Sequence, residues 1–155
     1  MIYYNIQDLM IFIKGCFMKI TRACDYTIRA LVYMAQSPMG TPFMRYDIAK
    51  ACNVPDSFLG KILQSLAKSD ILISERGKKG GFRLGKAPKD ICIYDVLVAV
   101  DGPLNINNCL DEQIGCCFDR SCCAHKMWKD VQQALIEKLK QYSLADISEN
   151  CAQIV

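Results

Sequence analysis

The sequence has no run of 18 or more apolar residues, so it offers no transmembrane helix. Residues 1–17 are apolar in patches, but Asp8 and Lys14 interrupt them and no small-residue cleavage site follows, so we expect no signal peptide. The sequence also lacks a phosphate-binding loop, a nucleotide fingerprint and an acid–base constellation. These absences predict a cytoplasmic protein that is not an enzyme, acts on no small-molecule substrate and binds no membrane.

The chain is not short of apolar residues or of cysteine. Of its 155 residues 52% are hydrophobic and 23% are charged, which is the composition of a globular protein. Ten residues are cysteine, a density below that of small secreted proteins held together by disulfides. In a reducing cytoplasm, clustered cysteines more often bind metal or carry out redox chemistry than form structural disulfides.

Charge is distributed unevenly along the chain. Residues 1–86 contain 13 Lys and Arg against 6 Asp and Glu, whereas residues 87–155 contain 6 against 10, which gives +7 and −4. A basic segment is typical of a surface that meets a polyanion, and an acidic one repels polyanions. We therefore expect the two halves to have different functions, with nucleic acid bound by the first.

Three helices are predicted in the basic half. Thr21 suits a helix N-cap before a helical pattern over about residues 22–36, and a second pattern ends at Asn53-Val54-Pro55. The chain then restarts at once as a third helix with two distinct faces. Its apolar face is predicted to carry Phe58, Leu59, Ile62, Leu63 and Leu66, and its polar face Ser57, Gly60, Lys61, Gln64 and Lys68. Two short helices joined by a tight turn predict a helix-turn-helix, whose second helix enters the major groove.

A hairpin follows the helix-turn-helix. Residues 71–74 and 82–84 read as short strands, and the glycine-rich segment 76–81 between them reads as the tip. A hairpin in this place is the wing of a winged helix. The DNA-binding residues that these patterns predict are Ser57, Lys61, Gln64 and Lys68 in the third helix and Arg76, Lys78, Lys79 and Arg83 in the wing.

The second half opens with a short linker over residues 86–88 and an apolar helix over residues 93–100. Residues 104–123 have no periodicity, and helical spacing resumes over about residues 125–142. The apolar stripe of that long helix exceeds what one small lobe can cover, which predicts a homodimer interface. The predicted fold is therefore mostly α with a small β-hairpin wing, a winged helix-turn-helix plus a long C-terminal dimerisation helix.

The aperiodic segment 104–123 contains five cysteines, and the single histidine of the chain, His125, lies just beyond it. The cysteines are Cys109, Cys116, Cys117, Cys122 and Cys123. The steps of five and six residues are longer than those of structural zinc sites or bacterial ferredoxins, and they favour an iron–sulfur cluster. Of two equally spaced pairs, Cys116 with Cys122 is favoured over Cys117 with Cys123, since Cys122 precedes His125 by one helical turn and Cys116 leaves the shorter step back to Cys109. A zinc site, a thiol switch and unligated core thiols are the alternatives. The sequence does not distinguish a 2Fe-2S from a 4Fe-4S cluster.

This order of elements resembles the Rrf2 family of bacterial regulators, with its IscR-like and NsrR-like members. The resemblance covers Met18 to about Glu149, and its carriers include Met18-Lys19-Ile20-Thr21, Ser57-Phe58-Leu59, Arg76-Gly77 with Gly80-Gly81, and Ser143-Leu144-Ala145-Asp146-Ile147. It implies that Cys109, Cys116 and Cys122 hold a cluster in a dimer. It implies two alternative fourth ligands, His125 in the IscR-like pattern and Asp25, from the partner subunit, in the NsrR-like pattern. The first cysteine step of six residues, where five is usual, and the doubled cysteines depart from the family.

The resemblance also sets the expected domains. Residues 1–17 are expected to be an extension, either a gene-model artefact or an added helix, followed by a DNA-binding domain over 18–86 and by the cysteine loop and dimerisation helix over 87–155. The main hypothesis is a transcription regulator, a repressor, that binds a palindromic operator in double-stranded DNA according to the state of its cluster. The alternatives are a cluster-free member regulated by a partner protein or by thiol oxidation, and a zinc-stabilised DNA-binding protein. An electron carrier would leave the basic wing unexplained.

Overall fold

The computed structural model describes residues 21–75, 77, 80–111 and 122–151. The described residues divide into two compact units. One unit comprises residues 21–75, 77, 80–104 and 136–151, and the other comprises residues 105–111 and 122–135. No helix within the described ranges has the length and hydrophobicity to cross a bilayer.

The first unit begins with three helices, α1 (Arg22–Ala35), α2 (Arg45–Cys52) and α3 (Asp56–Lys68). Thr21 caps α1 as predicted, since its side chain accepts a hydrogen bond from the amide of Cys24 at 3.3 Å. The sharp turn between α2 and α3 depends on Asn53, which is left-handed at φ 52°, a conformation that asparagine tolerates. The amide of Val54 then bonds to the Ala49 carbonyl at 2.9 Å, so α3 starts in a defined direction.

The wing is an antiparallel pair of strands, β1 (Leu72–Glu75) and β2 (Gly81–Leu84), with Leu72 opposite Leu84. Sequence patterns did not predict that β2 would also pair on its other side. There Phe43 and Phe82 exchange two backbone hydrogen bonds of 2.8 and 2.9 Å. The wing is therefore held to the segment before α2 as well as to α3.

Three further helices complete the described chain: α4 (Ile93–Asp101), α5 (Cys123–Lys140) and α6 (Leu144–Asn150). Single 3-10 turns lie at Pro88–Asp90 and Asn108–Leu110. Ser143 caps α6 in a reciprocal capping box with Asp146, and its hydroxyl and amide lower the pKa of that carboxyl. The sequence reading did not predict α6.

One buried cluster joins the elements of the first unit. Its fully buried side chains include Leu31, Ile48, Leu63, Val96 and Leu144, which come from five different helices. The fold class is confirmed, with a mostly helical chain and a two-stranded wing. Helix and strand limits differ from the predicted ones by one or two residues. The boundary predicted at residues 86 and 87 stays a prediction.

Candidate nucleic-acid interface and cluster site

The polar stripe of α3 is the centre of the candidate nucleic-acid interface. Leu59, Ile62, Leu63 and Leu66 are buried on the opposite face and hold the helix against α1, α2 and α4. This packing turns Ser57, Lys61, Gln64 and Lys68 outward, and all four side chains are exposed. A rigid helix with an exposed, acid-free stripe has the form that major-groove recognition requires.

Phe58 does not follow the prediction that placed it on the apolar face. Its side chain is 42% exposed, and its ring meets that of Tyr26 edge to face at a centroid distance of 5.8 Å. Phe58 comes one position before buried Leu59, so it lies about 100° around the helix from the core. It therefore flanks the polar stripe instead of filling the interior.

The wing supplies the second part of the interface. At its tip the amide of Gly80 bonds to the Gly77 carbonyl at 2.9 Å, and Gly77 has a φ of 119° that favours glycine. Arg83 lies on β2, where its Nε donates a 2.8 Å hydrogen bond to the Glu75 carboxylate. That pair partly neutralises Arg83 in the absence of DNA. The other predicted wing residues, Arg76, Lys78 and Lys79, lie outside the described residues.

Arg45 is a basic residue at this surface that the sequence patterns did not select. Its Nε donates a 2.8 Å hydrogen bond to Asp56, the first residue of α3. A Cβ placed on Gly60 would lie 3.2 Å from the Arg45 Nη1 atom and 3.6 Å from its Cδ. The arginine therefore lies against Gly60, at the edge of the polar stripe of α3. Gly60, an unusual residue for a helix interior, was the signal that could have revealed it.

The candidate cluster residues of the second unit lie at and before the start of α5. The amide of His125 bonds to the Cys122 carbonyl at 3.2 Å, which places both residues in one helical turn. The Nδ1 atom of His125 is buried and has no hydrogen-bond partner among the described residues. Burying such an atom without a partner costs free energy, so it is a position where a ligand bond would be gained. Cys123 is exposed and Cys122 half-buried.

Cys109 belongs to the 3-10 turn of the same unit. The segment before that turn is attached to α5, since the amide of Ile106 bonds to the Gln132 side chain at 3.0 Å. Cys116 lies outside the described residues. Within the described ranges, no three His, Cys, Asp or Glu side chains come close enough together to hold a metal ion.

Asp25, the alternative fourth ligand, lies in the first turn of α1. Its carboxylate is paired with Arg29 four residues later, and both side chains are about half exposed. A half-exposed pair of this kind is weak and can be exchanged for another partner. The pairing nevertheless satisfies the Asp25 carboxylate, whereas the His125 Nδ1 atom lacks a partner among the described residues.

Two cysteines outside the cysteine-rich loop, Cys24 and Cys52, are buried. Burial raises the pKa of the Cys24 thiol to about 12, with a further contribution from the 2.9 Å hydrogen bond that the thiol donates to Asp101. Burial also raises the pKa of Cys52, against a smaller opposing effect of Arg29. Neutral thiols of this kind are poor nucleophiles and poor metal ligands. Cys92 and Cys151 are half-buried, and Cys16 lies outside the described residues.

Similarity to known proteins agrees with this architecture. The family model of Rrf2, described as an iron-dependent transcriptional regulator, matches residues 20–150. CymR (YrzC), the global cysteine regulator of B. subtilis, has a similar solved structure with a TM-score of 0.72 and 22% identity, over 88% of this chain and 100% of that one. For the oxidized form of CymR from Staphylococcus aureus the TM-score is 0.67 and the identity 21%, over 88% and 100%. For IscR from T. potens the TM-score is 0.65 and the identity 23%, over 88% of this chain and 93% of that one.

The family model covers most of the chain, and the solved structures share its winged-helix fold. Members of the family are transcription regulators that bind DNA, and they are not enzymes. The chain belongs to the Rrf2 family of transcription regulators.

Proposed function

We propose that this regulator binds a palindromic operator as a homodimer, with the polar stripe of α3 in the major groove and the wing on the phosphate backbone. The exposed, acid-free stripe over a buried leucine-rich face carries this proposal. Ser57, Lys61, Gln64 and Lys68 are the groove residues. Arg76, Lys78, Lys79 and Arg83 are the wing residues, where a phosphate would displace Glu75 from Arg83.

The test is DNA binding by the full chain. A duplex is selected from random-sequence DNA with the purified protein, and its affinity is measured from 50 to 200 mM salt against a scrambled duplex. We expect a preference of about a thousandfold or more for the selected duplex and a steep fall in affinity with salt. Equal affinity for the two duplexes would contradict specific recognition.

We further propose that operator affinity responds to an iron–sulfur cluster held by Cys109, Cys116, Cys122 and His125. The buried Nδ1 atom of His125, one helical turn beyond Cys122, is the observation that carries this proposal. Imidazole is an established replacement for thiolate on cluster iron, so the residues fit the group chemically. A bound cluster would supply iron that reacts with oxidants and nitric oxide. The cysteines would deprotonate to bind it, and His125 would bind as neutral imidazole.

The first experiment on the cluster is chemical analysis. Anaerobically purified full-length protein is assayed for iron, acid-labile sulfide and zinc, together with its visible absorbance. We expect equal molar amounts of iron and acid-labile sulfide. We also expect the affinity for DNA to change when the cluster is removed. Tightly bound zinc without sulfide would identify a zinc-stabilised protein, and neither metal would indicate regulation by a partner protein or by thiol oxidation.

Matched variants assign the ligands. Cys122→Ala is compared with Cys123→Ala, its exposed neighbour, and Cys116→Ala with Cys117→Ala. We expect the first member of each comparison to abolish the cluster absorbance and the second to keep most of it. The opposite result would show that the ligands are displaced by one residue along the chain.

His125→Ala and Asp25→Ala decide the fourth ligand. We expect His125→Ala to reduce cluster retention and to change DNA affinity together, because its buried nitrogen has no other partner among the described residues. Asp25→Ala should leave the absorbance unchanged, since its carboxylate is paired with Arg29. If Asp25→Ala alone removes the absorbance, Asp25 is the ligand. If neither variant alters it, the fourth position belongs to another cysteine or to an added thiol.

A further inference from the structure

The Arg45 side chain reaches the edge of the polar stripe of α3 although Arg45 belongs to the preceding helix. It is in the first turn of α2, and its side chain crosses to α3, where Nε bonds to Asp56. The chain position that it covers is Gly60. Gly60 lies about one turn after Ser57 at the edge of the polar face, so the guanidinium of Arg45 occupies space that a side chain at position 60 would otherwise fill.

The missing side chain of Gly60 makes room for this arrangement. A Cβ at this position would come within 3.2 Å of Arg45 Nη1, tighter than most real Cβ contacts, and within 3.6 Å of Cδ. Glycine in a helix interior is less stable than alanine. Glycine at position 60 therefore costs helix stability, and the space that it leaves for the Arg45 side chain explains its presence.

The bond to Asp56 orients the arginine without using all of its donors. A guanidinium has five N–H groups in a planar fork, and Nε is the one that bonds to Oδ1 of Asp56. The Arg45 side chain is 52% exposed, so the remaining fork is accessible to a ligand. A fork of this kind matches the O6 and N7 acceptors of guanine in the major groove. Fixing it in advance lowers the entropy lost on binding.

We infer that Arg45 reads a guanine base. Asp56 is its positioning residue, and the missing side chain of Gly60 leaves room for the arginine against α3. The inference rests on the proposed function, since it assumes that the stripe of α3 faces the major groove. It adds to that interface a base-reading residue from outside the recognition helix.

The test uses the full chain, the selected duplex and the scrambled duplex. Arg45→Ala should lower affinity for the selected duplex by about tenfold to a hundredfold, the loss typical of one bidentate base contact, and affinity for the scrambled duplex by much less. Arg45→Lys should not restore the preference, because an ammonium has no planar fork. Lys50→Ala is the matched control, since it removes one exposed positive charge from α2 at a position about 140° around that helix from Arg45.

Gly60→Ala tests the positioning separately. We expect it to fold normally, judged by circular dichroism and thermal unfolding, and yet to lower affinity for the selected duplex. In an Arg45→Ala background the same substitution should cost little further affinity, because its effect acts through the arginine. Substituting guanines of the selected duplex one at a time should identify one whose replacement has no effect in Arg45→Ala.

Several outcomes would overturn the inference. Equal losses by Arg45→Ala on both duplexes would mark a phosphate contact, and a loss no greater than that of Lys50→Ala would mark a structural ion pair. If Lys61→Ala reduces specific binding while Arg45→Ala does not, the inference fails and the proposed interface stands. If the unmodified protein shows no preference for any duplex, the proposed function itself is wrong and the inference falls with it.

Discussion

Lysines in the stripe and in the wing are expected to have different effects on DNA binding, because base edges carry sequence information and phosphates do not. Lys61→Ala should relax sequence preference and cost about 1–3 kcal/mol on the best site. Lys78→Ala should weaken all duplexes about equally and flatten the salt dependence by about one unit. Titrations of both variants on selected and scrambled duplexes measure the difference. Equal losses on the two duplexes for Lys61→Ala would exclude it as a base reader.

The Cys24 thiol makes a specific prediction for stability at high pH. Folding raises its pKa from an ordinary value of 9.0 to about 12, so the folded state holds the proton more tightly than the unfolded state. The stability this contributes is fully present below pH 9 and is lost as the pH rises toward 12, with a slope of at most about 1.4 kcal/mol per pH unit. Urea unfolding from pH 8 to 11 measures it. Cys24→Ser, which keeps a donor for Asp101 but does not titrate, should have a shallower slope, and an identical slope would refute the assignment.

At the scale of elements, the wing depends on its attachment to the segment before α2. A Cβ on Gly81 would lie 2.5 Å from the Phe43 carbonyl oxygen, inside the backbone pairing of Phe43 with Phe82. Gly81→Ala should therefore destabilise the protein by about 1–3 kcal/mol and weaken DNA binding by displacing the wing. Gly40→Ala is the control, since Gly40 also has a positive φ, 88°, but a Cβ there meets nothing within 4 Å in the described part of the chain. Urea unfolding of both variants compares them, and equal losses would show that conformation alone is responsible.

At the scale of the whole molecule, α5 presents an apolar face that the single chain leaves uncovered. None of its residues is buried in the described structure, and Met127 and Val131 are 50% and 47% exposed, one helical turn apart. If this face forms the proposed homodimer, Val131→Glu should shift the protein to monomer and reduce operator affinity, because a palindrome needs both subunits. Lys129→Glu, on the opposite side of the same helix, should remain a dimer. Sedimentation velocity distinguishes the species, and a dimeric Val131→Glu would place the interface elsewhere.

Much of the architecture could be predicted from the sequence. Hydrophobic spacing located α1 and α3, glycine and charge located the wing, and the cap at Thr21 was correct because capping is a local interaction. The same patterns and the family resemblance selected the candidate DNA and cluster residues, which remain predictions. The prediction that Phe58 lies on the apolar face was wrong, because Phe58 is at the edge of that face. Helical periodicity does not show whether another element covers a residue at such an edge.

Tertiary structure alone decided which distant residues meet. The pairing of Phe43 with Phe82 and the hydrogen bond from Cys24 to Asp101 join segments that are remote in sequence and share no pattern. The position of Arg45 over Gly60 is of the same kind, since it requires the angle between α2 and α3 that the turn at Asn53 sets. Local propensities and periodicity act over a few residues along the chain. Contacts between elements depend on how packed helices and strands approach in three dimensions, and only the folded chain determines that.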